Sequence, residues 1–438
     1  MKVLNLVVGI LLAASPAFGI GLEELQDKAL EKREILKRYI VNLEKSEKDS
    51  VLARAGYYPS VDVSYQMNKI DDKSPSLELG GGGGSLDSGF GGSVDSSFSA
   101  TDSSIFYSAV TWNLFNGFKD RYSIESAELL TEVEELQLDG LTQDIQLNVA
   151  LQYLNVYERR ANLEVARKNY ETLQKIYQDG KNRLDVGLID RNELLKFKVD
   201  LDDTLIQVEA AKGGLEKSVI LLGRVVGEDL RLALLDFEEF ENIPGGKDLE
   251  GNMALMLARR SELQVFDKLI EASMYQRQAD QSGYYPKVDL VGSYSYFDDD
   301  LIGGRGNVGS EELRAQLVLS MNLYRGGATQ ARVAKARLET QGLHYDMKER
   351  KDTLKTELQN LHIDYSVSLR NIEVALVSIE QAEENLRITR LKYNEGLQRE
   401  SDLLDAVANL SRAQYNYVAV LQNVFSNHFK ILRMVEAF

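Results

Sequence analysis

Four short runs in this chain alternate between apolar and polar positions, and four long ones repeat apolar positions every three or four residues. In the first short run Val61, Val63, Tyr65 and Met67 alternate with Asp62, Ser64 and Gln66. Phe106, Val110, Trp112 and Leu114 share one face of the second, and Val288, Leu290, Tyr294 and Tyr296 one face of the third. The fourth is the clearest: Leu313, Ala315, Leu317, Leu319, Met321 and Leu323, with Arg314, Gln316, Ser320 and Asn322 between them. Period two predicts strands with one apolar and one polar face, over about 60–68, 104–115, 287–297 and 312–323. Each is about ten residues, the length a tilted strand needs to cross a bilayer. Trp112 and the tyrosines near the strand ends suit an interfacial aromatic belt. A soluble antiparallel sheet is the alternative reading of the same pattern.

The long runs predict helices. From Phe118 to Leu184 there is no proline and little glycine, so a continuous helix there reaches roughly 100 Å. Leu163, Ala166, Tyr170, Leu173 and Tyr177 keep a heptad, and Ile372, Ala375, Ile379, Ala382, Leu386 and Tyr393 keep another. The return helices carry Leu194, Phe197, Leu201, Val208, Ala211 and Leu215, and then Leu403, Ala406, Leu410, Ala413, Tyr417, Val420 and Val424. These are coiled-coil seams between antiparallel helices. They predict packing and carry no chemistry.

The chain is also doubled. Gly56-Tyr57-Tyr58-Pro59 returns as Gly283-Tyr284-Tyr285-Pro286, an offset of 227. Asn113-Leu114-Phe115-Asn116-Gly117 returns as Asn322-Leu323-Tyr324-Arg325-Gly326, and Gly187-Leu188 as Gly396-Leu397, both at an offset of 209. The difference is taken up by the Gly/Ser/Asp-rich segment from Asp71 to Ser104. The expected organisation is a signal peptide over 1–19 and a first repeat over 20–227 with its helical hairpin at about 118–227. A linking segment over 228–251 then leads to a second repeat over 252–438, with its hairpin at about 326–436.

Composition narrows the chemistry. The 438 residues include 68 acidic and 51 basic side chains, a net charge of −17, which argues against a nucleic-acid partner. Cysteine is absent, which excludes disulfides, thiolate metal sites and an N-terminal lipid anchor on Cys. The three histidines, His344, His362 and His428, do not have metal-pair spacing, and no Ser/His/Asp set is evident. Lys2, the apolar run Val3 to Ala14 and Ala17-Phe18-Gly19 read as a secretory signal. No later segment offers 18 uninterrupted apolar residues, so entry into a membrane would be by strands. Gly304-Arg305-Gly306-Asn307-Val308-Gly309 fits GxGxxG, but a strand follows where a dinucleotide site needs a helix, so it reads as a loop. Gly80 to Gly84 reads as a surface loop, and Asp298-Asp299-Asp300 as solvated loop acids in preference to a calcium site.

A signal peptide, two tandem copies of strand–strand–long helix–tight turn–long helix, and no catalytic constellation together resemble the TolC-like outer membrane efflux protein (outer membrane factor) family. The residues that carry the resemblance are the Tyr-Tyr-Pro strand starts, the Asn-Leu-Phe-Asn-Gly and Asn-Leu-Tyr-Arg-Gly junctions, and the turns Arg183 to Leu195 and Tyr393 to Ala406. The resemblance implies a mainly α fold with a membrane β-barrel part. Each chain of a homotrimer gives four strands to a twelve-stranded barrel in the outer membrane, with a coiled-coil tunnel in the periplasm. Strand arithmetic independently requires an oligomer, because four strands cannot close and about eight is the minimum. The number three comes from the resemblance.

The resemblance also implies a passive efflux or type I secretion channel that performs no catalysis and needs no cofactor or metal. Its partners are a periplasmic adaptor (membrane fusion) protein, an inner-membrane transporter and outer membrane lipid. The docking tips map onto Val186, Gly187, Leu188, Asp190, Arg191, Gly396, Leu397, Arg399 and Ser401. Gly187 and Gly396 are expected to take conformations that other residues avoid. The gate maps onto the acidic pair Asp402 and Asp405, a contact between Tyr393 and Glu193, and Gln398, which stands where the family's best-known member has a basic residue. For Asp402, a helix N-terminal acid stabilised by the macrodipole is the alternative. The rival reading of the whole chain is a periplasmic coiled-coil structural or adhesin protein with no channel.

Overall fold

The computed structural model describes residues 19–69, 103–245, 248–298 and 310–438. The signal segment before Gly19, the Gly/Ser-rich segment, the GxGxxG run, Asp299 and Asp300 lie outside the described residues. The first half of the chain runs α1 (Leu22–Lys32), α2 (Glu34–Arg54), β1 (Ser60–Asn68), β2 (Ser103–Phe115), α3 (Lys119–Asp185) and α4 (Arg191–Val226). The second runs α5 (Leu249–Arg259), α6 (Ser261–Gln281), β3 (Lys287–Asp298), β4 (Ser310–Ser320), α7 (Ala328–Asn394) and α8 (Glu400–Met434). Helices α3 and α7 are 67 residues each, and both ends of α7 lie 209 positions after the matching ends of α3. No helix among the described residues is long and apolar enough to cross a membrane.

The chain forms two compact units. One comprises Ser46–Thr131 and Ile270–Gly342 and holds the sheet. Its four strands pair in sequence order, every pair antiparallel. The register Val63↔Ser108, Ser108↔Tyr294 and Tyr294↔Leu313 sets one row across the sheet. Paired residues share a face, so Val61, Val63, Tyr65, Phe106, Trp112, Leu290, Tyr294, Leu313, Leu317 and Leu319 line up on one side. Asp62, Gln66, Ser295, Glu312, Arg314 and Gln316 are on the other. The apolar face is open: Leu313 is 84% exposed and Leu319 70%. Strands β1 and β4 each leave one edge unpaired among the described residues.

Strand β4 stops at Ser320, short of the expected residue 323. Its last pair is Lys287↔Ser320, and the next residue on the partner strand is Pro286, which has no N–H to extend the ladder. Strand β2 reaches Phe115 because β3 continues beside it past a bulge at Asn113/Phe115. A 3₁₀ turn precedes each Tyr-Pro strand start, at Ala55–Tyr57 and Ser282–Tyr284. The indole N–H of Trp112 donates to the Tyr57 carbonyl at 2.9 Å, tying β2 to the first of these turns. The strand-to-helix junctions turn through left-handed backbone, at Gly117 and Phe118 in the first repeat and at Gly326 and Gly327 in the second. Phe118 takes φ +66°, which is unusual for a bulky residue, where its counterpart is glycine. Its ring meets Phe115 edge-on at 5.1 Å and Tyr285 at 6.4 Å.

The other unit comprises Glu132–Leu269, Leu343–Phe438 and the N-terminal segment up to Lys45. Its main core gathers Leu25, Tyr153, Leu154, Leu222, Met256, Leu354, Leu358 and Val424, all essentially inaccessible to solvent. Ile20 bridges Leu235 in parallel, and the Leu22 N–H donates to Glu239 Oε1 at 2.8 Å. Glu239 Oε2 accepts from the Tyr153 hydroxyl at 3.0 Å. Burial, then the nearby Glu239 charge, pushes that phenol well above its ordinary pKa, so it stays a donor.

The same unit buries two arginines, Arg260 and Arg433. Arg433 donates to Asp144 Oδ1 at 2.6 Å, to Glu436 Oε1 at 3.2 Å and to the Gly140 carbonyl at 3.2 Å. Arg260 donates to the Arg433 carbonyl at 2.6 Å and to Glu262 Oε1 at 2.8 Å, and Arg350 donates to Glu262 Oε2. Ser261 closes the group onto Glu436 through its N–H at 2.9 Å and its hydroxyl at 2.5 Å. The network joins α3, α6, α7 and the C-terminal end of α8.

Candidate functional site at the helical turns

Each long helix ends in the same way. After α3 the Gly187 N–H donates to the Leu184 carbonyl at 2.9 Å and the Leu188 N–H to the Arg183 carbonyl at 2.8 Å. After α7 the Gly396 N–H donates to the Tyr393 carbonyl at 3.0 Å and the Leu397 N–H to the Lys392 carbonyl at 2.8 Å. This is the Schellman closure, and it requires left-handed backbone at its glycine. Gly187 has φ +75° and Gly396 φ +73°. A Cβ at either would meet nothing within 4 Å, so backbone conformation alone selects glycine there. Val186, Leu188 and Leu397 are exposed beside them, and so are Arg191, Arg399 and Ser401.

The return helices start with different caps. Asp190 caps α4 by accepting from the Glu193 N–H at 2.9 Å. At α8 the Asp402 carboxylate reaches back to accept the Arg399 N–H at 3.2 Å. Asp402 therefore has a local role at the helix N-terminus, where the macrodipole also favours it. Asp405, one turn on, is exposed.

Between the two turns the structure brings Tyr393 and Glu193 together. The Tyr393 hydroxyl donates to Glu193 Oε1 at 2.6 Å. The Tyr393 ring is buried, with the Arg183 guanidinium 5.0 Å from its centroid and Phe197 edge-on at 6.0 Å. Burial, then the hydrogen bond to Glu193 and its charge, pushes the phenol above its ordinary pKa, so it remains protonated and donating. Leu173, Ile176, Phe197, Leu201, Leu403 and Val407 surround it in a small core of its own.

Four polar links run beside that core. Arg183 donates to Asn394 Oδ1 at 2.8 Å and to its carbonyl at 3.3 Å. Arg390 pairs with Asp179 at 3.1 Å, and Lys196 pairs with Glu400. The bond from Lys196 draws Glu400 below the usual carboxylate range and raises the ammonium in return. Gln398 is half-buried, and its Oε1 accepts no hydrogen bond among the described residues. The expected site did not include Arg183, Lys196, Phe197 or Glu400. One signal was in the chain: a cation stands four residues before each turn glycine, Arg183 and Lys392. No cluster of His, Asp or Glu suited to a metal ion occurs among the described residues. The histidines stand apart from the turns. Burial lowers the pKa of His362 and of His428, and the His362 ring bonds Asn252 at 2.9 Å.

The sequence model of the family described as outer membrane efflux protein matches residues 25–228 and 253–430, one block for each repeat. The outer membrane protein TolC of Vibrio cholerae is 26% identical over 322 residues, which cover 68% of this chain and 71% of that protein. The alkaline protease secretion protein AprF of Pseudomonas aeruginosa is 22% identical over 428 residues, covering 93% of this chain and 84% of that one. Among solved structures, CusC, described in terms of transmembrane channel formation, superposes with a TM-score of 0.79. It is 14% identical, and the match covers 97% of this chain and 95% of that chain.

Proposed function

Because the chain belongs to the outer membrane efflux protein family, we propose that it is an outer membrane channel-tunnel, the passive exit duct of an efflux or type I secretion system. The observation that carries the reading is the sheet. It has an apolar face open to its surroundings, a polar face opposite, and two edges unpaired among the described residues. Lipid tolerates no open edge, so the strands must close with those of other copies. Three chains supply twelve strands. The apolar face then meets lipid, the polar face lines the pore, and Trp112 sits at the membrane interface.

The helical turns are the periplasmic end in this reading. Val186 to Arg191 and Gly396 to Ser401 offer exposed side chains on rigidly closed turns to a periplasmic adaptor, which couples the duct to an inner-membrane transporter. Opening is an iris-like movement that separates the two hairpins of each chain, and the links Tyr393–Glu193 and Lys196–Glu400 resist it. Asp402 and Asp405, repeated in three copies, make an acidic ring that attracts cations. The double substitution Asp402→Ala with Asp405→Ala is expected to weaken divalent-cation block of the conductance. Block measured in planar bilayers and found unchanged would remove the acidic pair from the gate.

The direct test of the whole reading is the mass of the detergent-extracted protein, corrected for bound detergent. A trimer is expected. A monomer, or material released without detergent, would leave four strands with nothing to close against and would overturn the channel.

A further inference from the structure

The two strand-to-helix junctions both turn through left-handed backbone, but they carry different charge. In the first repeat the Asn116 side chain accepts from the Asp120 N–H at 3.4 Å, at the start of α3. The counterpart of Asn116 is Arg325, which has no acceptor to offer. No side chain accepts from the opening amides of α7 among the described residues. Two further cations stand where the first repeat has serine, Lys287 for Ser60 and Arg332 for Ser123. The acids change in the opposite sense, with Thr329 for Asp120 and Ala334 for Glu125. From Leu313 to Leu338 there are five basic residues and no acidic one, in a chain whose net charge is −17.

Lys287, Arg325 and Arg332 line one cleft of about 340 Å³ together with Lys119, the first residue of α3. Asp280 is the one acid in its lining among the described residues. None of the four cations forms an ion pair or side-chain hydrogen bond among the described residues. Four like charges around one cleft repel one another, and all of their N–H donors are free for a ligand. The register Lys287↔Ser320 runs in step with Ser293↔Arg314 and Ser295↔Glu312, so Lys287 and Ser320 are on the polar face of the sheet. The chemistry that answers this arrangement is an oxyanion with more than one negative charge. A guanidinium fork grips phosphate oxygens in pairs, and an uncapped helix N-terminus favours the same charge.

We propose that Lys119, Lys287, Arg325 and Arg332 bind a water-borne, phosphate-bearing anion where the strands of the second repeat meet its helices. The first repeat lacks these cations, so each chain has one such site. In the channel reading the polar face lines the duct, and the cleft holds an anionic solute on the duct wall. That placement rests on the channel reading, while the binding itself does not.

The probe is inorganic tripolyphosphate, titrated calorimetrically into the full detergent-extracted chain at low ionic strength. Arg325→Asn with Arg332→Ser installs the residues of the first repeat and should weaken binding roughly tenfold or more. Arg337→Ser removes an exposed cation outside the cleft and should bind as wild type does. No binding by wild type, a double variant as tight as wild type, or an equal loss in Arg337→Ser would each overturn the site. Dihexanoyl phosphatidylglycerol, titrated in the same way, is the lipid arm. Tighter binding of that lipid, lost in the double variant, would make the cleft a headgroup site and overturn the water-borne ligand. In planar bilayers tripolyphosphate should block wild-type conductance and spare the double variant. Binding without block would take the site off the duct wall. Binding by a chain that is monomeric by mass and forms no pore would uphold the site and overturn the channel reading.

Discussion

Arg433→Leu is expected to lower the unfolding free energy by about 3–5 kcal/mol, the scale for removing one partner from a buried ionic group. The guanidinium is almost wholly inaccessible and donates to Asp144, Glu436 and the Gly140 carbonyl. Leucine fills part of the space and satisfies none of those acceptors. Glu436 keeps Ser261 but loses the Arg433 guanidinium, and the Gly140 carbonyl loses its side-chain donor. Denaturant unfolding of the detergent-solubilised protein measures the loss. Arg387→Leu, which breaks the exposed pair with Glu384, is the control and should leave the midpoint close to wild type. A shift at Arg433 no larger than the one at Arg387 would show that the network is not part of what holds α8 in place.

The same network sets a pH dependence. Burial works against the charge on Glu262, but Arg260, Arg350 and Arg433 together overcome it and hold the carboxyl below its usual range. A lowered carboxylate pKa contributes stability that is fully present above the unfolded-state value, about 4.3. That contribution is lost as the pH falls through the folded-state value. The gap between wild type and Arg433→Leu should therefore be widest near neutrality and narrow in acid.

Much of the fold was legible in the sequence because its signals are local and occur twice. Period-two runs such as Leu313 to Leu319 need only a neighbouring strand to become a two-faced sheet. The offset of 209, constant from Asn113/Asn322 to Gly187/Gly396, is what two rigid hairpins of equal length require. What the sequence hid depends on long-range contact or on exceptions to local rules. Arg433 meets Asp144 across 289 positions, and no periodicity announces that pair. Phe118 holds left-handed backbone where its counterpart Gly327 makes the requirement visible. The end of β4 is set by Pro286 on the partner strand, so reading β4 alone overshot it. At the turns, the glycines and the Tyr393–Glu193 contact could be expected from resemblance. The Lys196–Glu400 and Arg390–Asp179 links could not, since opposite charges are common on any exposed helix and only packing selects which ones meet. Asp402 had two readings before the structure, and its bond to the Arg399 N–H gives it a capping role in the single chain.

Leu313→Arg separates the membrane reading from the soluble one by sign as well as size. Leu313 is 84% exposed in the single chain and belongs to the apolar row Val63–Ser108–Tyr294–Leu313. Its partner Tyr294 lies four residues from one end of β3 and seven from the other, well inside the strand. On a soluble sheet, an exposed leucine replaced by arginine changes stability little and improves solubility. Facing lipid near the middle of a bilayer, the same arginine costs about 2–4 kcal/mol. Gln316→Arg is the matched control, because Gln316 shares the polar face with Arg314 and Glu312 and would line the water-filled side. Folding into vesicles should therefore be impaired for Leu313→Arg and normal for Gln316→Arg, with both keeping the wild-type helical signal in detergent by circular dichroism. The membrane reading holds only if the two faces differ. Equal tolerance would mean that the apolar row does not face lipid, and equal damage would mean that neither face meets water. A face-dependent cost of the expected size would place the apolar row against hydrocarbon whatever the copy number of the barrel.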